Sequence, residues 1–232
     1  MRYKAVLLDF YGTLVSEDDL VIGEMLRDML AAAPTAIDKR SLGRAWLNRF
    51  RELCAASHGE QFRTQRDIEI ASLEAVLTEY QIPLSAQELA ARQFVYWSAP
   101  RIFDDAIAFV ESCPLPICIV SNIDRSDLEN AIRHAGWRCD HVLSSEDVRS
   151  YKPRPELFQR ALELLGLAPH EVLHVGDSWS NDVVGAQQQG IAVAWVNRAG
   201  RTPPPDATPP DYTLNSLAEL TALLDEHRQE PR

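Results

Sequence analysis

Four short polar stretches in this 232-residue chain carry the residue types that covalent hydrolysis needs. Asp9 closes the apolar run Ala5-Val6-Leu7-Leu8 and is followed by Gly12-Thr13. A carboxylate at a strand tip can attack phosphorus or carbon and form an ester that water then cleaves. Ser121-Asn122 follows a second apolar run and offers a hydroxyl donor to an anion. Lys152, in Tyr151-Lys152-Pro153, supplies a point cation that would keep Asp9 ionised and pair with a substrate anion. Asp177 ends a further run, Val172-Leu173-His174-Val175-Gly176, and Asp182 lies five residues beyond it. Asp9 and Asp177 on neighbouring strand tips could hold Mg²⁺, which takes oxygen ligands and keeps several waters. Transfer of a phosphoryl group needs its oxygens neutralised, and Lys152, Ser121, nearby backbone N–H groups and Mg²⁺ would do that together.

The elements that must position these residues are legible as hydrophobic rhythm. Continuous apolar runs of four to six residues suit strands buried on both faces of a parallel sheet. Such runs occur at 5–8, 117–120, 172–175 and 191–196, with a shorter one at 141–143. Helical spacing predicts helices between them, including Asp104 to Glu111, Ser126 to His134, one begun by Pro155, one from Asn181 to Gln189 closed by Gly190, and a last one from Ser216 to about His227. The stretch 16–98 is different. Its apolar residues recur at helical spacing throughout (Met25, Leu26, Met29; Leu42, Trp46, Leu53; Ile68, Leu73, Val76), with a further helix over Ala86 to Tyr96. The expectation is a doubly wound α/β parallel sheet, residues 1–15 and 99–232, with an all-helical insertion, residues 16–98, after the first strand. In such sheets ligands gather at the carboxyl ends of the strands, where all four polar stretches fall. The proline-rich segment 202–211 reads as a surface loop.

Each residue alone has a plainer reading. Asp9 before Gly12 fits a strand-to-turn signal, Asp177 or Ser178 fits a helix cap, and an isolated lysine is usually solvated. All four stretches in order, each at a strand end or helix start, outweigh those readings. In order and spacing they resemble the motifs of the haloacid dehalogenase-like hydrolases from Met1 to about Trp195, and the insertion resembles that family's helical cap. The resemblance implies Asp9 as covalent nucleophile, Lys152 as its cation, and Ser121 and Asn122 as substrate contacts. It also implies a Mg²⁺ site formed by Asp9, the backbone carbonyl of Tyr11, Asp177 and Asp182.

Tyr11 stands where phosphatases of this family carry a second Asp, which protonates the leaving group. A phenol with a pKa near 10 does not simply replace it. Haloacid dehalogenases of the family do have Tyr there, because halide departs without a proton. They also use no metal and replace the acidic residue at position 177, which this chain keeps. Two acidic residues beside Asp9 demand a cation or a proton. The expectation is therefore a Mg²⁺-dependent phosphatase of a small phosphorylated metabolite, with Tyr11 or a cap residue as proton donor. The alternative is a metal-independent 2-haloacid dehalogenase in which Arg40, Arg44 or Arg49 grips the substrate. A second alternative is a catalytically weak, ligand-binding member of the fold.

Composition bounds the partners. A net charge of −11 with no basic run argues against nucleic acid, and the small anionic substrate that the motifs imply must be met by locally concentrated cations. The four cysteines form no C-x-x-C pair, and the short apolar run before Asp9 suits neither a signal peptide nor a membrane span. The expectation is a cytoplasmic monomer or homodimer. Trp46, Phe50 and Trp97 are expected in helix contacts, and His134, His141 and His174 in core or surface roles. The polar segment from His58 to Arg66 is consistent with either the cleft or solvent.

Overall fold

The computed structural model describes residues 3–229; residues 1, 2 and 230–232 of the expected core lie outside the described residues. The chain opens with β1 (Ala5–Leu8) and then runs through four helices, α1 (Asp19–Ala32), α2 (Lys39–Ala56), α3 (Gln65–Glu79) and α4 (Ala86–Ser98). It continues as α5 (Asp104–Ser112), β2 (Ile117–Ser121), α6 (Arg125–Ala135), β3 (His141–Ser144), α7 (Ser145–Val148) and α8 (Glu156–Leu165). After β4 (Val172–Gly176) come a π-helical turn (Trp179–Val183), α9 (Val184–Gln188), β5 (Ala192–Val196), β6 (Tyr212–Leu214) and α10 (Leu217–Gln229).

All six strands are parallel, in the order β3-β2-β1-β4-β5-β6. The chain reverses its winding between β1 and β4, so the crevice at their carboxyl ends is where a ligand belongs. The continuous apolar runs are explained by burial on both faces. Val6 and Leu8 join one core with Phe109, Leu128 and Leu220, while Ala5 and Leu7 join the other with Leu157, Phe158 and Ala186. Sequence rhythm missed β6, whose three residues follow the proline-rich loop. It also read as one regular helix the segment that begins as a π turn at Trp179.

The four cap helices bury a third core around Met25, Leu42, Trp46, Leu73 and Leu89. Three of them start at side chains that suit an N-cap: Asp38, Thr64 and Ser85 each accept a backbone N–H three residues on. The cap then docks onto the core through the segment whose placement the sequence left open. Asp124, just before α6, accepts the first-turn amides of Gln65 (2.6 Å) and Arg66 (3.0 Å), so a core carboxylate caps a cap helix. Arg66 makes a two-pronged pair with the buried Asp127 at 2.7 and 2.6 Å, and Ser98 adds a third bond to the same carboxylate. Tyr151 donates to the Arg63 carbonyl and stacks on Phe62. Among the described residues, no helix is long and apolar enough to cross a membrane.

Candidate active site

β1 ends at Leu8 and delivers Asp9 to the crevice, where its N–H donates to the Val175 carbonyl at 2.9 Å. Thr13 donates its hydroxyl to Asp9 Oδ2 at 3.0 Å. Lys152 reaches the other oxygen, Oδ1, at 2.8 Å, and also donates to Asp182 Oδ1 at 2.6 Å and to the Val120 carbonyl at 3.0 Å. An ammonium has three N–H bonds, and all three are used here. Lys152 therefore acts on the site through its charge, with no donor left over for a substrate oxygen. Asn122 is spent in a similar way: its amide clasps the Lys152 backbone, donating to the carbonyl at 3.0 Å and accepting the N–H at 2.8 Å. Sequence reasoning gave Asn122 to the substrate; the structure places it as the clasp that holds Lys152. Ser121 lies buried at the tip of β2.

On the opposite side, β4 ends in Gly176-Asp177. Two glycines make the close approach possible. A Cβ on Gly12, whose φ is +84°, would fall 2.4 Å from Asp177 Oδ1, and one on Gly176 would fall 2.3 Å from Asp182 Cγ. Asp182 is anchored on three sides, by Lys152, by His174 Nε2 at 3.0 Å and by the Ser178 N–H at 2.9 Å. Asp177 is held by Arg201, whose Nη2 donates at 2.7 Å to both its carboxylate Oδ2 and its backbone carbonyl. The result is three buried carboxylates, Asp9, Asp177 and Asp182, each offering an oxygen within 4.8 Å of the others.

That crowding shows in their proton affinities. Burial, and then repulsion from Asp182 and Asp177 against the pull of Lys152, raises Asp9 to about 7. Burial and Asp182 raise Asp177 to about 6, despite Arg201. Burial also opposes ionisation of Asp182, yet Lys152 and His174 hold it well below the usual carboxylate range. Burial pushes the His174 ring down, so a neutral imidazole sits behind Asp182. Two of the three carboxylates thus resist ionising where they sit, and a divalent cation would relieve them. The donor set is all oxygen, which fits Mg²⁺.

Tyr11 points elsewhere. Its hydroxyl donates to the Trp97 carbonyl at the end of α4, its ring stands edge-on to Phe10, and burial raises its pKa well above 10. Trp97 in turn donates its indole N–H to Asp18, which also accepts from Gln93. Tyr11 is therefore part of the joint between cap and core, and its proton is committed there. Glu17 follows on the same connection. It is solvent-accessible, and local desolvation with the charges of Asp177, Asp18 and Asp9 raises its pKa well above the ordinary carboxylate value. Arg40, Arg44 and Arg49 are exposed on α2, with Arg49 paired to Glu52.

A family model for haloacid dehalogenase-like hydrolases matches residues 3–190. The chain belongs to the haloacid dehalogenase-like hydrolases. Haloacid dehalogenase-like hydrolase domain-containing protein 3 of Danio rerio is 35% identical over 129 residues, and the match spans about half, 53%, of each chain. Pyrophosphatase PpaX of Bacillus mycoides is 26% identical over 234 residues, 97% of this chain and 98% of its own. Among solved structures, an L-2-haloacid dehalogenase superposes with a TM-score of 0.78 at 24% identity, covering 97% of this chain and 100% of its own. That likeness speaks for the fold. The site residues that sequence reasoning missed in this hydrolase are Thr13, Glu17, His174 and Arg201. A polar His inside an apolar strand was a readable signal of a buried partner. Nothing local to Arg201 announced a partner 24 residues away.

Proposed function

We propose that this hydrolase is a Mg²⁺-dependent phosphatase that takes the phosphoryl group of a small anionic metabolite onto Asp9. The observation that carries this reading is the retention of Asp177 and Asp182 beside Asp9, all three within reach of one cation. The haloacid dehalogenases that the motifs resemble use no metal and carry no acidic residue at position 177. PpaX, similar over nearly the whole chain, bears a phosphatase name and lends support. Bound there, Mg²⁺ would neutralise the phosphoryl oxygens and the carboxylates together.

The chain's own groups do the rest. Asp9 attacks phosphorus, the bond to the ester oxygen breaks, and the leaving alkoxide takes a proton. Water then cleaves the aspartyl phosphate, releasing inorganic phosphate and restoring Asp9. With the Tyr11 hydroxyl committed to Trp97, the proton falls to Glu17, a solvent-accessible carboxyl whose proton affinity is raised by local desolvation and by the charges of Asp177, Asp18 and Asp9. Glu17→Gln is expected to lower kcat on alkyl phosphates by about 10²-fold and to affect aryl phosphates less, since their leaving groups need no proton. Equal loss on both would remove Glu17 from this role.

Tyr11 favours a second reading, hydrolytic release of halide from a 2-haloacid. The discriminating experiment supplies an aryl phosphate and 2-chloropropionate, each with Mg²⁺ and with EDTA. Phosphate release that EDTA abolishes is expected. Halide release indifferent to EDTA, with no phosphate released, would overturn the phosphatase reading. Asp9→Asn abolishes either activity if Asp9 is the nucleophile.

A further inference from the structure

A site with three buried carboxylates and Glu17 beside them must still receive an anion, so the cations that can meet it matter. Most of those nearby are committed to the protein. Lys152 has all three N–H bonds engaged. Arg66 is clamped to Asp127 in the seam between cap and core. Arg198, on the connection after β5, makes a two-pronged pair with Asp105, donates to the Thr13 carbonyl and lies over the Phe103 ring.

Arg201 differs from these three. Only its Nη2 is engaged, by Asp177, and its Nε and Nη1 groups donate to no described residue. Its side chain is 49% exposed although it touches a carboxylate that is 9% exposed. The guanidinium thus lies between the buried site and open solvent. Its backbone is held in place beforehand: the Asn197 side chain accepts the Arg201 N–H at 2.8 Å and donates to the Arg201 carbonyl at 2.9 Å, and Gly200 donates back to the Asn197 carbonyl. A cation so fixed loses little conformational entropy when it binds a ligand.

We propose that Arg201 is a substrate-binding residue that receives a second anionic group, a carboxylate being the smallest, on the part of the substrate beyond the atom Asp9 attacks. Guanidinium N–H groups suit a planar carboxylate, and the bond is charge-assisted on both sides. The proposal rests on the Asp9-centred site but holds for either electrophile, because a 2-haloacid carries a carboxylate too. It places on a loop of the core the gripping role expected of Arg40, Arg44 or Arg49 in a haloacid dehalogenase.

The test uses two phosphate monoesters of similar size, phosphoglycolate and 2-hydroxyethyl phosphate, which differ in the second anionic group. In the wild-type protein the carboxylate-bearing ester is expected to have the lower KM, by tenfold or more. Arg201→Gln should erase that preference through KM, while any loss that acts through Asp177 falls on both esters alike. No preference in the wild type, or a preference that survives Arg201→Gln, overturns the proposal. Calorimetric binding of the same two esters to Asp9→Asn, and to Asp9→Asn with Arg201→Gln, repeats the comparison without turnover. If neither ester binds or reacts, it is the phosphatase reading that fails. The same criterion is then applied to 2-chloropropionate against 2-chloropropionamide, where retention of the carboxylate preference in Arg201→Gln overturns the proposal.

Discussion

In the core, Asp9 and Asp182 share the ammonium of Lys152, and Asp177 has the guanidinium of Arg201. In the cap, Glu69 on α3 is just as deeply buried, yet no ion pair joins it to a described cation, and its Oε1 has no hydrogen-bond partner among the described residues. Burial, with repulsion from Asp18, raises Glu69 to about 8, so it is neutralised by a proton of its own. The difference separates two purposes. A carboxylate that must attack is kept beside a cation that leaves it ionisable. A carboxylate buried without a cation beside it, as in the cap, takes up a proton instead.

The largest break in this comparison is Lys152→Ala. Removing one partner of a buried pair leaves uncompensated charge, which costs roughly 3–5 kcal/mol. Urea unfolding should show that loss together with abolished turnover, and a stable, active variant would refute the account of the core. The seam comes next. Asp127→Asn removes the charge that Arg66 and Ser98 converge on, for an expected cost of about 1.5–3 kcal/mol. Thermal unfolding measures it, and faster proteolysis within residues 58–66 would show the cap coming loose. An unchanged Tm would mean that the seam is held elsewhere.

Smaller effects follow from pH. Asp9 and Asp177 have raised pKa values, so the stability they contribute is full below about 4 and is lost as pH rises through about 6 to 7. Asp182 works the other way, its contribution being lost only on acidification. Mg²⁺ should therefore raise Tm more at pH 8 than at pH 5.5. Its apparent affinity should weaken by about tenfold per pH unit below 6 for each proton displaced. A Mg²⁺ response that is flat with pH would separate the metal from these carboxylates. The last test is in the cap. Glu69→Gln removes the cost of keeping a carboxyl protonated, so the variant should gain on the wild type as pH rises from about 4.5 to 8 and level off beyond. The gain is read as the difference in Tm between the two proteins across that range. A constant difference across that range would place the Glu69 pKa elsewhere.

Much of the site was legible in the sequence because strands buried on both faces write themselves as unbroken apolar runs. Asp9, Ser121 and Asp177 each terminate such a run, and Lys152 precedes a helix that Pro155 begins. What escaped was decided by distance along the chain. Arg201 meets Asp177 only because the loop after β5 turns back over β4, and Tyr11 meets Trp97 only once the cap has folded across 86 residues. The spacing that suggests Asn122 touches a substrate equally suits a clasp on the Lys152 backbone, and only geometry separates the two. Residues 58–66 were undecidable for a similar reason. Their amides and carbonyls find partners in Asp124, Arg149 and Tyr151, none of them near in sequence.

The full engagement of Lys152 has a kinetic side. Its nitrogen has three occupied positions, much as a metal ion has a filled coordination shell. A ligand oxygen that comes to rest on it must enter by substitution, displacing Asp9, Asp182 or the Val120 carbonyl. The dwell time of a bound anion at that nitrogen then reports on the competition between the ligand and the partner waiting to return. Arg201, with open positions, binds by simple addition. An anion approaching this protein meets first a cation that accepts it at once, and then one that must exchange.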